Sequence, residues 1–122
     1  MKNILVVDDT DSWRQLSNEI LSRAGYQVTE AESGKIALQL ARASPPDLIL
    51  TDLDMPDLNG IETARCLRAL SGCDSVPIIL LTTEEMDGDC DDPPAPYING
   101  YIDKKYTAAK LLDCVEQHLQ RA

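Results

Sequence analysis

Phenylalanine is absent from the sequence, and the aromatic residues are four tyrosines and one tryptophan. The hydrophobic core must therefore be built from the aliphatic residues that dominate the 43% apolar fraction. Leucine, isoleucine, valine and alanine suit a sheet that is covered by helices. With 122 residues, the chain has the size of one ordinary domain, and we predict a single domain over 1–122.

Basic residues are scarce: 11 lysines and arginines stand against 21 acidic residues, which gives a net charge of −10. A chain of this charge repels nucleic-acid phosphates and anionic lipids, so we expect neither direct nucleic-acid binding nor membrane binding. Cations and basic protein surfaces are compatible partners. A solvated acidic surface is the simpler explanation of most of the charge.

Long hydrophobic runs and paired cysteines are missing as well. No apolar run approaches the roughly 20 residues of a membrane span, and acids follow the short apolar start too soon for a signal peptide. The four cysteines form no C-x-x-C pair, so zinc is not expected. Unpaired cysteines fit a reducing compartment, and we predict a cytoplasmic protein.

Short apolar runs alternate with amphipathic segments along the chain. The predicted strands are 4–7, 26–31, 48–50, 77–81 and 101–103. The predicted helices are about 13–24, 34–43, 60–70 and 108–119, with Asn59 and Thr107 as N-caps and Gly25 as a stop. This alternation predicts a doubly wound α/β fold, a parallel sheet with helices on both faces.

Chemically active residues follow the predicted strands. Asp8 and Asp9 follow the first strand, Asp52 the third, Thr82 the fourth and Lys104 the fifth. A lone acid at a strand end is commonly structural, but the carboxyl ends of such strands meet at one edge, where ligands bind. Crowded carboxylates need a proton or a cation, and a few oxygen ligands suit Mg²⁺. A carboxylate can attack phosphorus, and a hydroxyl and an ammonium can hold phosphoryl oxygens.

Four segments resemble the response-regulator receiver domain of two-component signalling, the CheY-like family. They are VVDD (6–9), LILTDLDMPDLNG (48–60), PIILLTT (77–83) and GYIDKKY (100–106). The pattern D-x-x-M-P-x-x-x-G, from Asp52 to Gly60, is the most specific part. The resemblance spans the chain and implies a flavodoxin-like sheet of five parallel strands in the order 2-1-3-4-5.

The resemblance also implies a phosphorelay role with Mg²⁺ as cofactor. Asp52 would accept a phosphoryl group from a sensor histidine kinase or a phosphotransfer protein. Asp8, Asp9, Asp52 and the backbone carbonyl of Asp54 would bind the Mg²⁺. Apart from gaining and losing this group, the chain would not act as an enzyme.

Three further residues complete the implied switch. Thr82 and Lys104 would contact the phosphoryl group, and Tyr101 would turn inward as Thr82 moves towards that group. An unidentified downstream partner would read the change on the face around the fifth strand and the last helix. The alternative for Tyr101 is a half-buried tyrosine that does not switch.

Two departures from the family keep an alternative open. Lys105 replaces the usual proline, and a cis bond to a non-proline residue costs about 3 kcal/mol, so we predict a trans, rearranged loop. The segment 84–97, EEMDGDCDDPPAPY, stands where the family has its fourth helix. Prolines cost about 3 kcal/mol each inside a helix, so we predict that this helix is lost or irregular between Gly88 and Pro96. Both changes keep open a pseudo-receiver, an interaction module that acts without phosphorylation, whereas the retained Asp9, Asp52, Thr82 and Lys104 argue against it.

Other functions are weaker alternatives. A haloacid-dehalogenase-type phosphatase has a D-x-D motif like that from Asp52 to Asp54, but it needs a longer chain. The acidic segment imitates the start of an EF-hand loop but lacks its glycine and its final glutamate, so calcium binding is not expected. His118, the only histidine, is predicted to pack at a helix edge rather than to transfer phosphate.

Overall fold

A computed structural model describes residues 2–56, 58–70, 72–82, 97–103 and 108–121. The strands are β1 (Asn3–Val7), β2 (Gln27–Ala31), β3 (Leu48–Asp52), β4 (Ile78–Thr82) and β5 (Gly100–Asp103). The helices are α1 (Asp11–Arg23), α2 (Gly34–Ala43), α3 (Gly60–Arg68) and α4 (Ala108–Arg121). None of these helices is long and apolar enough to cross a membrane.

The five strands are parallel and form one sheet in the order β2-β1-β3-β4-β5, which confirms the predicted order. The register sets Val7 opposite Thr51, so the chain continues into Asp8 beside Asp52. Asp52 pairs with Leu81, and Thr82 follows Leu81 as the last residue of β4. The predicted functional residues of β1, β3 and β4 therefore lie at the same edge of the sheet.

Helices cover both faces of the sheet, which is why its central strands are apolar on both faces up to their polar last residues. On one face, Leu5, Ile49 and Leu80 pack against α2 and α3. On the other face, Ile4 and Leu50 pack against α1 and α4. The fold is thus the doubly wound α/β arrangement that the alternating sequence predicts.

The ends of two helices follow from the predicted cap residues. Asn59 begins α3 with a capping box: its side chain accepts a hydrogen bond from the Glu62 amide at 2.8 Å, and Glu62 accepts one from the Asn59 amide at 3.1 Å. Gly25, with φ of +97°, ends α1, and the amide of Tyr26 donates to the carbonyl of Leu21 at 3.1 Å. This is a Schellman motif. Both boundary predictions are confirmed.

Several predictions concern parts of the chain outside the described residues. They are the irregular or lost helix between residues 88 and 96, the positions of Lys104 and Lys105, and the cap at Thr107. These stay predictions.

Candidate functional site

Three carboxylates meet at the edge of the sheet where the strands end. One oxygen atom from each of Asp8, Asp9 and Asp52 lies within 4.8 Å of the other two. Asp8 and Asp52 are 0% and 3% exposed, whereas Asp9 is exposed to solvent. The cluster therefore has two buried carboxylates and one that faces solvent.

The loop after β3 is closed tightly around Asp52. The amide of Leu53 donates to the carbonyl of Leu81 at 2.8 Å, which continues the pairing with β4, and the amide of Gly60 donates to the carbonyl of Leu53 at 2.9 Å. A Cβ atom on Gly60 would lie 2.3 Å from the backbone oxygen of Asp52. This contact explains the glycine that ends the D-x-x-M-P-x-x-x-G pattern, because only a residue without a side chain fits there.

Asp8 is held by contacts to three different parts of the chain. Its amide donates to the carbonyl of Ala31 at 3.0 Å. Its Oδ1 accepts a hydrogen bond from the amide of Thr10 at 2.9 Å, and its backbone oxygen accepts one from Nη1 of Arg14 at 2.7 Å. These contacts fix the loop that carries Asp8 and Asp9 against β2 and the first turn of α1.

Thr82 and Tyr101 lie on the adjoining strands. Thr82 is fully buried and faces Asp103 in the pairing of β4 with β5. Tyr101 is only 5% exposed and belongs to the core that includes Leu80 and Ile98. The half-buried position considered from the sequence is therefore wrong, because the ring packs inward, whereas the lack of switching in that alternative is untested. Its movement during switching stays a prediction.

The carboxylate cluster fits a small, hard cation. Ligands around octahedral Mg²⁺ lie about 3 to 4 Å apart, because each bond is about 2 Å long. Carboxylate oxygens within 4.8 Å of one another are close to this spacing. A divalent cation would also relieve the mutual repulsion of the three carboxylates. Asp54 is exposed two residues after Asp52, in the loop that would supply a carbonyl ligand.

Arg14 is a site residue that was not predicted from the sequence. Its side chain is 11% exposed, pairs with Asp11, and holds Oε1 of Glu30 with its Nε at 3.0 Å. Burial alone would lower the pKa of Arg14, but the bonds to Asp11 and Glu30 raise it above its usual value. The pair with Asp11, three residues earlier on the helix, was the available signal.

His118 lies near the opposite end of β5. It is 4% exposed, and its Nδ1 and Nε2 atoms lie 2.7 Å and 3.3 Å from the backbone oxygens of Cys114 and Asn99. Asn99 precedes the first residue of β5, whereas the carboxylates follow the last residues of β1 and β3. The prediction that His118 packs at the helix edge is confirmed.

The fold and the acidic edge agree with a comparison to known protein families. The pattern of the response regulator receiver domain matches residues 4–116. The chain belongs to this family. It is therefore a receiver domain of two-component signalling, and the phosphatase alternative is set aside.

Individual relatives cover nearly the whole chain. The polar-differentiation response regulator DivK of Brucella ovis is 28% identical over 118 residues, which are 97% of this chain and 96% of DivK. The chemotaxis response regulator CheY4 of Vibrio cholerae has a structure with a TM-score of 0.88 and 32% identity, covering 97% of this chain and 98% of that one. The receiver domain of a sensor histidine kinase from Pseudomonas aeruginosa has a TM-score of 0.87 and 29% identity, covering 98% of each chain. That structure has a magnesium ion coordinated in its active-site cleft.

Proposed function

We propose that residues 1–122 form a single phosphoacceptor receiver domain that acts in the cytoplasm. Asp52 takes a phosphoryl group from a sensor histidine kinase or a phosphotransfer protein. The supporting observation is the meeting of the Asp8, Asp9 and Asp52 carboxylates within 4.8 Å. Two buried acids in such a cluster are costly for a purely structural scaffold, whereas a phosphoryl-transfer site requires them.

The chain's own residues account for the transfer. A carboxylate oxygen of Asp52 bonds to phosphorus while the phosphorus–nitrogen bond of the donor phosphohistidine breaks. The imidazole nitrogen keeps the electron pair of that bond and takes up a proton. Asp8, Asp9, Asp52 and the Asp54 carbonyl would hold Mg²⁺, which would neutralise charge on the carboxylates and the phosphoryl oxygens.

Thr82 links the transfer to a change at the surface. The phosphoryl group brings up to two negative charges to the edge of the sheet. The Thr82 hydroxyl and the Lys104 ammonium contact the oxygens of the phosphoryl group. The inward Tyr101 ring then stabilises the new arrangement of the loop that follows β4. A downstream protein, unidentified by the sequence, binds the face that includes β5 and α4.

Intact-mass measurement after incubation with acetyl phosphate and Mg²⁺ tests the transfer. The wild-type chain should gain one phosphoryl group, and Asp52→Asn should gain none. Asp54→Asn is a matched control, because it changes an exposed carboxylate in the same loop and keeps the backbone carbonyl. A wild-type chain that gains no phosphoryl mass would instead support the pseudo-receiver, the alternative that Lys105 keeps open.

A further inference from the structure

We propose that Arg14 positions the metal-binding loop, so that Asp8 and Asp9 face Asp52 in the arrangement that Mg²⁺ requires. The inference rests on the proposed function, because it concerns the same Mg²⁺ site. Nη1 of Arg14 donates a 2.7 Å hydrogen bond to the backbone oxygen of Asp8. Arg14 acts through this oxygen and is not itself a ligand.

The contacted oxygen belongs to the peptide that joins Asp8 to Asp9. A peptide is planar, so an anchored oxygen fixes the direction in which the chain leaves Asp8. The contacts from Ala31 and Thr10 act on the amide and the carboxylate of Asp8. Arg14 acts on the next peptide, and it therefore controls where the exposed carboxylate of Asp9 lies.

Arg14 can serve as an anchor because its own position is fixed. Its Nε atom lies 3.0 Å from Oε1 of Glu30, and Oε2 of Glu30 accepts a 2.7 Å hydrogen bond from Asn18 on the next turn of α1. A planar guanidinium held by Asp11, Glu30 and a carbonyl loses its rotational freedom. The hydrogen bond to Asp8 is therefore pre-organised.

The sign of a substitution effect separates positioning from simple electrostatics. Removing a cation beside three carboxylates would, through space alone, strengthen Mg²⁺ binding. Freeing the peptide between Asp8 and Asp9 would weaken it. The two carboxylates paired with Arg14 already offset its charge, and salt screens the remainder. We therefore expect the loss of positioning to dominate.

Calorimetric Mg²⁺ titration of the full chain at fixed ionic strength tests this inference. Arg14→Gln should raise the dissociation constant about tenfold, at the low end for groups that orient metal ligands. Arg14→Lys keeps the charge but not the planar fork, and it should fall between Arg14→Gln and the wild type. Arg23→Gln is the matched control, because it breaks an exposed ion pair with Glu19 on the same helix.

A second measurement separates positioning from general damage. Phosphorylation of Arg14→Gln by acetyl phosphate should be slow at low Mg²⁺ and should recover to the wild-type rate at saturating Mg²⁺. Thermal unfolding of each variant defines a temperature at which all are folded, and the titrations are made there. A deficit that persists at saturating Mg²⁺ would contradict the positioning role.

The outcomes distinguish this inference from the proposed function. Unchanged or tighter Mg²⁺ binding by Arg14→Gln, with normal binding and phosphorylation of the wild type, overturns the role of Arg14 alone. If the wild type neither binds Mg²⁺ nor becomes phosphorylated, both proposals fail. Weaker binding by Arg14→Gln with an unchanged Arg23→Gln supports the role of Arg14, and phosphorylation of the wild type decides the proposed function separately.

Discussion

Gly60 and Asp52 are in backbone contact: a Cβ atom on Gly60 would lie 2.3 Å from the Asp52 carbonyl oxygen. The same Cβ would lie 2.7 Å from a methyl group of Leu80. Gly60, the first residue of α3, thus packs closely against the end of β3 and the middle of β4. The tight packing beneath the proposed phosphoacceptor makes Gly60 a sensitive position for both stability and metal binding.

Gly60→Ala should destabilise the fold by about 1 to 3 kcal/mol, measured by urea unfolding. Alanine favours a helix by about 1 kcal/mol over glycine, but the backbone oxygen of Asp52 cannot yield as a flexible side chain would. Movement of that oxygen should also weaken Mg²⁺ binding.

Gly25→Ala is the matched control for this substitution. Its φ of +97° makes alanine unfavourable by about 1 to 2 kcal/mol, although no atom lies within 4 Å of the added Cβ. This variant should lose stability and keep its Mg²⁺ affinity. A Gly60→Ala variant that keeps both stability and affinity would refute the tight contact.

Arg68 ties the end of α3 to the start of β5. Its Nη1 donates to the carbonyl of Val76 at 2.6 Å, its Nε donates to the carbonyl of Tyr97 at 3.3 Å, and its Nη2 donates to Oδ1 of Asn99. Burial lowers the pKa of Arg68. We expect Arg68→Leu to cost about 2 to 3 kcal/mol in urea unfolding, because partly buried carbonyls lose their donor.

Hydrogen exchange provides the specific readout for Arg68. The amide of Asn99 donates a 2.8 Å hydrogen bond to the carbonyl of Ile78, and this bond should open more often in Arg68→Leu. Arg68→Lys should restore part of the protection, since an ammonium keeps the charge but not the planar fork. Equal exchange of Asn99 in the wild type and Arg68→Leu would show that Arg68 does not hold this junction.

Tyr26 should make stability fall in alkaline solution. Burial, with a smaller contribution from Glu116, raises the pKa of Tyr26 above its usual 10.0. The folded state therefore favours the neutral Tyr26 phenol. Its contribution to stability is fully present below the pKa that Tyr26 has in the unfolded chain, and it is lost as the pH rises through the pKa that Tyr26 has in the folded chain. The wild type should lose unfolding free energy more steeply than Tyr26→Phe above about pH 10. Parallel curves for the two proteins would contradict this assignment.

The sheet and the acidic edge were predictable because local signals there agree with the fold. β1, β3 and β4 are apolar on both faces, so their runs indicate buried parallel strands. The end of each strand is marked by its own polar residue. Asn59 was recognisable as a cap because its side chain acts on the residues that follow it directly.

The positioning contacts were not predictable, because they depend on how distant elements pack. The bond from Arg14 to Asp8 requires the angle at which α1 leaves β1, and its partner Glu30 lies on β2. Arg68 and Asn99 are 31 positions apart in the sequence. The burial of Tyr101 depends likewise on the core around Ile98 rather than on the alternation within its strand.

Phosphorylation of Asp52 is expected to switch this domain through Thr82 and Tyr101. Amide NMR with beryllofluoride, which mimics the phosphoryl group, tests it most directly. In the wild type, Mg²⁺ and beryllofluoride together should shift the signals of Asp52, Thr82 and Tyr101, and Asp52→Asn should show no such shift. A wild-type spectrum that is the same with Mg²⁺ alone and with both reagents would contradict a phosphorylation switch and indicate a pseudo-receiver.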